Sequence, residues 1–176
     1  AENHAARAYY GRTPAALLGE SGALTPRTTV VHATHLSGRD IQMLGDDITA
    51  QSVRNRRERG LGYIPQDRQR DGLLLSAPLW ENAALGHQTA PPFSHGFWMD
   101  RDGMREATEQ IREAFDVRTP NIDVAAHALS GGNQQKLIVG REMSANPTLL
   151  IAAHPTRGID VGAQAAVWDQ LRAARA

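Results

Sequence analysis

Apolar positions along the chain follow two rhythms. In MDRDGMREATEQIREAFDV, Met104, Ile111 and Phe115 stand seven and four apart with charges between them, the spacing of an amphipathic helix. NQQKLIVGREMSA reads as a second helix, ended by Asn146-Pro147, and GAQAAVWDQLRAARA as a third with Val167, Trp168 and Leu171 toward the core. Between the last two lies TLLIAA, a short apolar run with the length and composition of a buried strand. Helix, buried strand, helix predicts a mainly parallel sheet covered on both faces, an α/β fold.

Upstream the pattern is less regular. TTVVHAT is β-prone, and IQMLGDDIT reads as a strand from Ile41, a turn at Gly45-Asp46-Asp47 and a short continuation. SVRNRRERG predicts a short helix with Ser52 as N-cap and Gly60 as stop, its arginines on a solvated face. Leu61 to Ile64 forms a strand broken by Pro65, a helix begins near Ser76, and QTAPPFSHGFW is a loop. No internal repeat is present. The chain ends after the last helix without a further strand, so it reads as cut short.

Composition narrows the class. At 176 residues the chain can bury one core, and 41% hydrophobic, 22% charged and 5% aromatic residues are ordinary for an α/β protein. The zero formal net charge supplies no field for nucleic acid or an anionic membrane, and no apolar run reaches the ~18 residues of a span. Any membrane role therefore comes through a partner. Without cysteine there is no disulfide or thiolate site, which suits a cytoplasmic protein.

The chemistry concentrates in two stretches. In LSGGNQQK, Leu129 to Lys136, Ser130 sits at an N-cap position before Gly131 and Gly132, where glycines admit close approach and the N–H groups of a helix start favour anions. On those residues alone a serine-capped helix after a flexible turn is the preferred account. In LLIAAHPTRGID, Leu149 to Asp160, the strand leads into Ala153 and His154, and no second ligand stands near His154 at metal-binding spacing.

LSGGNQQK resembles the signature motif of ABC-type ATPases in the form found in sugar and nucleoside importers. HPTRGID stands in register with that family's DEPTRGID, GYIPQDRQRDGL with its Q-loop region, and WENAALG and FDVRTPNIDVAAHALSGG with its helical subdomain. The likeness runs from about Ile41 to the end and is strongest to the second ATPase half of such importers. It implies a partial P-loop NTPase (ABC ATPase) fold with an inserted helical subdomain. Residues 1–40 would be a degenerate start of the core, 41–72 core strands and Q-loop, 73–128 the helical subdomain, and 129–176 the signature helix, Walker B strand and D-loop.

The resemblance also implies ATP and Mg²⁺ as cofactors, a second ABC ATPase domain and transmembrane permease subunits as partners, no nucleic acid, and a place on the cytoplasmic face of the cell membrane. Ser130, Gly131, Gly132, Asn133 and Gln134 would meet the nucleotide held by the partner domain. Gln66 would be the Q-loop residue and Asp160 the D-loop acid.

The pattern breaks in three places. No GxxxxGK[ST] string exists. Gly11-Arg12-Thr13 in YYGRTP keeps a charge and a hydroxyl and is preferred over GESGALTPR as its stand-in. Ala153 replaces the Mg²⁺-holding Asp and His154 the catalytic Glu, so hydrolysis at this half is expected to be slow or absent, with His154 as base or as a structural histidine left open. The chain stops before the family's switch histidine. An ATP-binding importer half that completes a composite site is therefore expected, truncated or degenerate. A catalytically inactive docking module or a non-functional fragment are the alternatives.

Overall fold

The computed structural model describes residues 29–31, 50–156, 159 and 161–173. The strand expected from Ile41 and both phosphate-loop candidates, Gly11, Arg12 and Thr13 included, lie outside those residues, as does Asp160.

Three parallel strands form the described sheet, in the order β1 (Thr29–Val31), β5 (Leu149–Ala152), β2 (Leu61–Ile64). β5 is central: Leu150 is opposite Thr29 on one side and Gly62 on the other, and the register continues to Ala152 opposite Val31 and Ile64. The strand predicted at 61–64 is thus present, the one predicted over TLLIAA, 148–153, is present as Leu149–Ala152, and the two lie in a parallel sheet. Leu150, Ala152 and Ile64 are buried while Leu149 and Ile151 are half-buried. β5 therefore alternates in burial although its sequence is continuously apolar.

Before β2, α1 (Val53–Glu58) begins where the sequence places it, Ser52 Oγ accepting from the Asn55 N–H, and Gly60 (φ 91°) turns the chain into β2. A side chain at Gly60 would also meet Thr148, its Oγ1 2.7 Å from an added Cβ. One expectation for α1 is corrected. Arg54 is exposed, but Arg57 points inward and pairs with buried Glu142, so the arginines do not share one solvated face.

After β2, Pro65 opens a loop that carries a π-helical turn over Arg68–Gly72, started by Asp67, whose Oδ1 accepts from the Gln69 and Arg70 N–H groups. The helix expected from Ser76 begins three residues later, as α2 (Leu79–Ala84). Pro78 disfavours helical backbone at Ala77, so the helix can start only beyond it. QTAPPFSHGFW is not wholly irregular: β3 (Ser94–His95) and β4 (Trp98–Met99) pair as a short antiparallel hairpin.

α3 (Arg101–Ala114) is capped by Asp100, whose Oδ1 accepts from Gly103 N–H, and buries Met104 and Ile111 as the periodicity requires, with Phe115 packed against the same core. α4 (Gly131–Ser144) runs through the middle of the molecule and is buried from Gln134 to Glu142 on every side. α5 (Val161–Ala173) closes the described chain with Val167 and Leu171 buried and Trp168 packed beside them. Ile64, Leu79, Ile111, Leu137, Ile138, Leu150 and Val167 belong to one core joining the sheet to α2, α3, α4 and α5.

Candidate nucleotide-contacting surface

Ser130 starts α4 from an extended conformation (φ −61°, ψ 156°), and its Oγ accepts from the Asn133 N–H at 3.4 Å and from Asn133 Nδ2 at 3.1 Å. Asn133 Oδ1 in turn accepts from the Arg118 N–H at 3.0 Å, which fixes the preceding segment against the helix start. Ser130 is exposed, Gly131 and Asn133 half-exposed, and Gly132 buried. No acidic residue stands in the first turn of α4. The helix start thus presents the Ser130 hydroxyl and the half-exposed Gly131 backbone at the surface, with no acidic residue in that turn to repel a polyanion, while Gly132 is buried and the Asn133 N–H is taken by Ser130 Oγ.

Gln134 lies apart from this surface. It is 2% exposed; its Nε2 donates to Ala126 O at 3.0 Å, and its Oε1 accepts from Arg68 Nε at 3.3 Å and Gln69 Nε2 at 3.4 Å. Its amide ties the helix to the loop after β2. In that loop Gln66 is exposed, two residues beyond the end of β2.

On the same edge of the sheet, just past the C-terminal end of the central strand, Ala153 is buried and its N–H donates to Ile64 O at 2.9 Å. His154 is exposed with φ 50°, a left-handed conformation uncommon for a histidine. Ala153 offers no acceptor, and among the described residues no group of three or more His, Asp or Glu side chains could hold a metal. Mg²⁺ therefore does not fit on the described residues of this strand end.

Sequence reasoning missed a buried polar network beneath these features. Glu142, fully buried, accepts from Arg57 Nη1 at 3.0 Å, Arg141 Nε at 2.9 Å and the Tyr63 N–H at 3.0 Å. Arg141 Nη1 donates onward to Gly72 O at 2.9 Å and Asn82 O at 3.2 Å. Burial alone would raise the Glu142 carboxyl, but Arg141, Arg57 and the Tyr63 N–H bring it below its usual range. Burial pulls Arg141 down, opposed by Glu142. The sequence signal was weak: two adjacent charges inside a helix whose neighbours are apolar.

Lys136, the only lysine, is likewise structural, its Nζ bonding Asp116 O at 2.9 Å and Asp116 Oδ2 at 2.7 Å. That bond holds the Asp116 carboxyl below the ordinary range.

Comparison with known proteins gives the same outline. A structural likeness exists to a dimeric ATP-binding cassette, MJ0796, in a post-hydrolysis state bound to ADP and Pi, with a TM-score of 0.56 and 20% identity over 69% of this chain and 49% of that one; it supports the fold. The chain is 42% identical over 142 residues to the nucleoside import ATP-binding protein NupA of Lactococcus lactis subsp. cremoris (strain MG1363), covering 81% of this chain and 28% of that protein. It is 45% identical over 136 residues to the guanosine import ATP-binding protein NupO of Bacillus subtilis (strain 168), covering 77% and 25%. It is 34% identical over 162 residues to the ribose import ATP-binding protein RbsA 2 of Mesorhizobium japonicum (strain LMG 29417 / CECT 9101 / MAFF 303099), covering 90% and 31%. The chain therefore spans between a quarter and a third of the length of these relatives. The family model described as ABC transporter matches residues 12–157, most of the sequence, and with the parallel sheet and the Ser130 helix start in place the chain belongs to the ABC transporter family.

Proposed function

We propose that the chain is part of the ATP-binding component of an importer for nucleosides or simple sugars, and that its contribution to ATP turnover is the start of α4. The carrying observation is Ser130 with Gly131 and Gly132 at the exposed end of a helix otherwise enclosed by protein. In a head-to-tail pair with a second ATPase domain, Ser130 Oγ and the first N–H groups of α4 meet the terminal phosphate of a nucleotide held mainly by the partner. When bound, ATP supplies the phosphoanhydride whose hydrolysis drives transport. This chain's own residues orient that phosphate through a preorganised hydroxyl and N–H donors, which need no reorganisation when charge develops.

Gln66 sits on the loop at the end of β2, placed to respond to a membrane subunit. Residues 73–128 form the helical part that docks on it, with the assembly on the cytoplasmic face and the membrane reached through partners alone. Among the described residues no helix is long and apolar enough to span a membrane. The opposite site is weak in this reading, because Ala153 lacks the acid and His154 the carboxylate that the chemistry requires. Asp160 works across the pair and Gly11-Arg12-Thr13 stands in for the phosphate loop.

The test is ATP turnover of the assembled transporter carrying Ser130→Arg. Loss of the cap costs about 0.5–2 kcal/mol, a small part of the roughly 5–15 kcal/mol by which native domains are stable. Turnover is expected to fall at least ~10-fold, the effect of about 1.4 kcal/mol lost from the transition state. Turnover equal to that of the unmodified protein overturns the proposal.

A further inference from the structure

The loop bearing Gln66 is held at both ends by two adjacent side chains of one helix. Glu142 Oε2 accepts from the Tyr63 N–H at 3.0 Å, in β2 and two residues before Pro65 opens the loop. Arg141 Nη1 donates to Gly72 O at 2.9 Å, at the loop's far end. The two side chains are themselves joined at 2.9 Å, and both are at most 4% exposed. Between these points Gln134 accepts from Arg68 and Gln69. Gln134, Arg141 and Glu142 all belong to α4, the helix that Ser130 caps.

Ordinary core packing does not need this arrangement. A buried ion pair loses on desolvation about as much as it gains, and an apolar pair of similar volume often holds a fold as well. In some proteins what such a pair supplies is geometric specification. Here the points specified are the Tyr63 N–H and Gly72 O at the two ends of residues 63–72, Asn82 O on the neighbouring α2 and the Arg57 guanidinium on α1. A helix turn rises about 1.5 Å per residue, so Ser130 and Glu142 are separated by roughly 18 Å of rigid rod. Displacing the Gln66 loop must then move the rod, or break charge-assisted bonds inside protein.

We propose that Arg141 and Glu142 are positioning residues that hold the Gln66 loop by both ends on the helix carrying Ser130, so that loop and serine shift as one body. Their effect on turnover rests on the composite-site reading given above; their hold on the loop does not. The experiment separates the two.

Glu142→Gln keeps an acceptor for the Tyr63 N–H but removes the charge that orders Arg141 and Arg57. Native-state hydrogen exchange on the full protein is expected to show residues 63–72 exchanging at least ~10-fold faster, while Leu149–Ala152 change by less than about 2-fold. In the assembled transporter kcat falls ~10-fold with the KM for ATP within about 2-fold. Gln66→Ala added to Glu142→Gln then lowers kcat by less than about 2-fold further, because both act through one element.

Faster exchange spread evenly over the molecule, or kcat effects of Gln66→Ala and Glu142→Gln that multiply, overturns the proposal. Local exchange at 63–72 with turnover insensitive to Ser130→Arg leaves the hold on the loop standing and removes only its catalytic consequence. Where Glu142→Gln does not fold, Arg141→Lys keeps a charge beside Glu142 but gives up the fork that reaches Glu142, Gly72 O and Asn82 O together. A local rise in exchange of about 3-fold at 63–72 is then expected, and the absence of any rise there overturns the proposal.

Discussion

His87 shows how one side chain reports on the buried network. Its Nε2 lies 3.3 Å from Arg57 Nη1 and its ring 6.2 Å from that of Phe93. Burial is the largest influence and lowers its pKa; Arg57 and Arg141 act in the same direction and Glu142 opposes them. The folded protein therefore takes up this proton later than the unfolded chain as pH falls. With more protons bound in the unfolded state, stability declines as pH drops below about 6.5, the ordinary histidine value, and the decline ends below the folded pKa. Thermal melts between pH 7.5 and 5.5 are expected to show a steeper fall in Tm for the wild type than for His87→Gln. Parallel curves would show that His87 carries none of it.

None of this was legible from the residue itself, because the charges that act on it, Arg57, Arg141 and Glu142, lie at sequence separations of 30 and more. Asn82 makes the same point. It reads as an ordinary polar residue in a helix, yet it is fully buried, its Oδ1 accepting from the Leu74 N–H and its Nδ2 donating to Leu74 O, Ala77 O and Pro78 O. Those four bonds fold the chain entering α2, and local sequence carries no sign of them.

Elements were more legible than residues, and unevenly so. α1 and α3 begin at Ser52 and Asp100, where a short polar side chain accepts from the first turn, and such caps are written in the local sequence. α4 is different. With Gln134, Gln135, Lys136, Arg141 and Glu142 buried together, it has no polar face, and only tertiary partners explain why it can be enclosed. Its contact with α3 depends on Gly140, where an added Cβ would lie 2.6 Å from Ile111 Cγ2 and 3.0 Å from Phe115. Gly140→Ala gains up to about 1 kcal/mol of helix propensity. Overpacking against Ile111, itself 3% exposed, costs about 1–3 kcal/mol. A net loss near ~1 kcal/mol in urea unfolding is expected. In the Gly140→Ala, Ile111→Ala double variant the loss is expected to be smaller than the sum of the two single losses, since the second substitution removes the methyl that clashes. Strictly additive losses would place the strain elsewhere.

At the scale of the molecule, the order of motifs identified the family where no single motif could, and the sheet explains why two of them meet. β2 and β5 are neighbours in register, so the loop with Gln66 and the end of β5 at Ala153 leave the same edge of the sheet, at the carboxyl ends where parallel sheets place ligands. What the sequence could not show is how enclosed that edge is at Ala153, 1% exposed and bonded through its N–H to Ile64 O. A carboxylate there would be buried, and burial of a charge is tolerated only with a cation or donors to meet it. Ala153→Asp thus tests whether this chain has a working site of its own. Without a bound cation it is expected to destabilise the protein by about 2 kcal/mol or more, while Ala153→Asn, equal in size and uncharged, loses less. Mg²⁺ with ATP is expected to leave the Ala153→Asp deficit in place, because His154 brings no second carboxylate to the cation. If Mg²⁺-ATP raised the Tm of Ala153→Asp clearly more than that of the wild type, the site would be one substitution from completeness, and the assignment of ATP turnover to the partner's side would have to be abandoned.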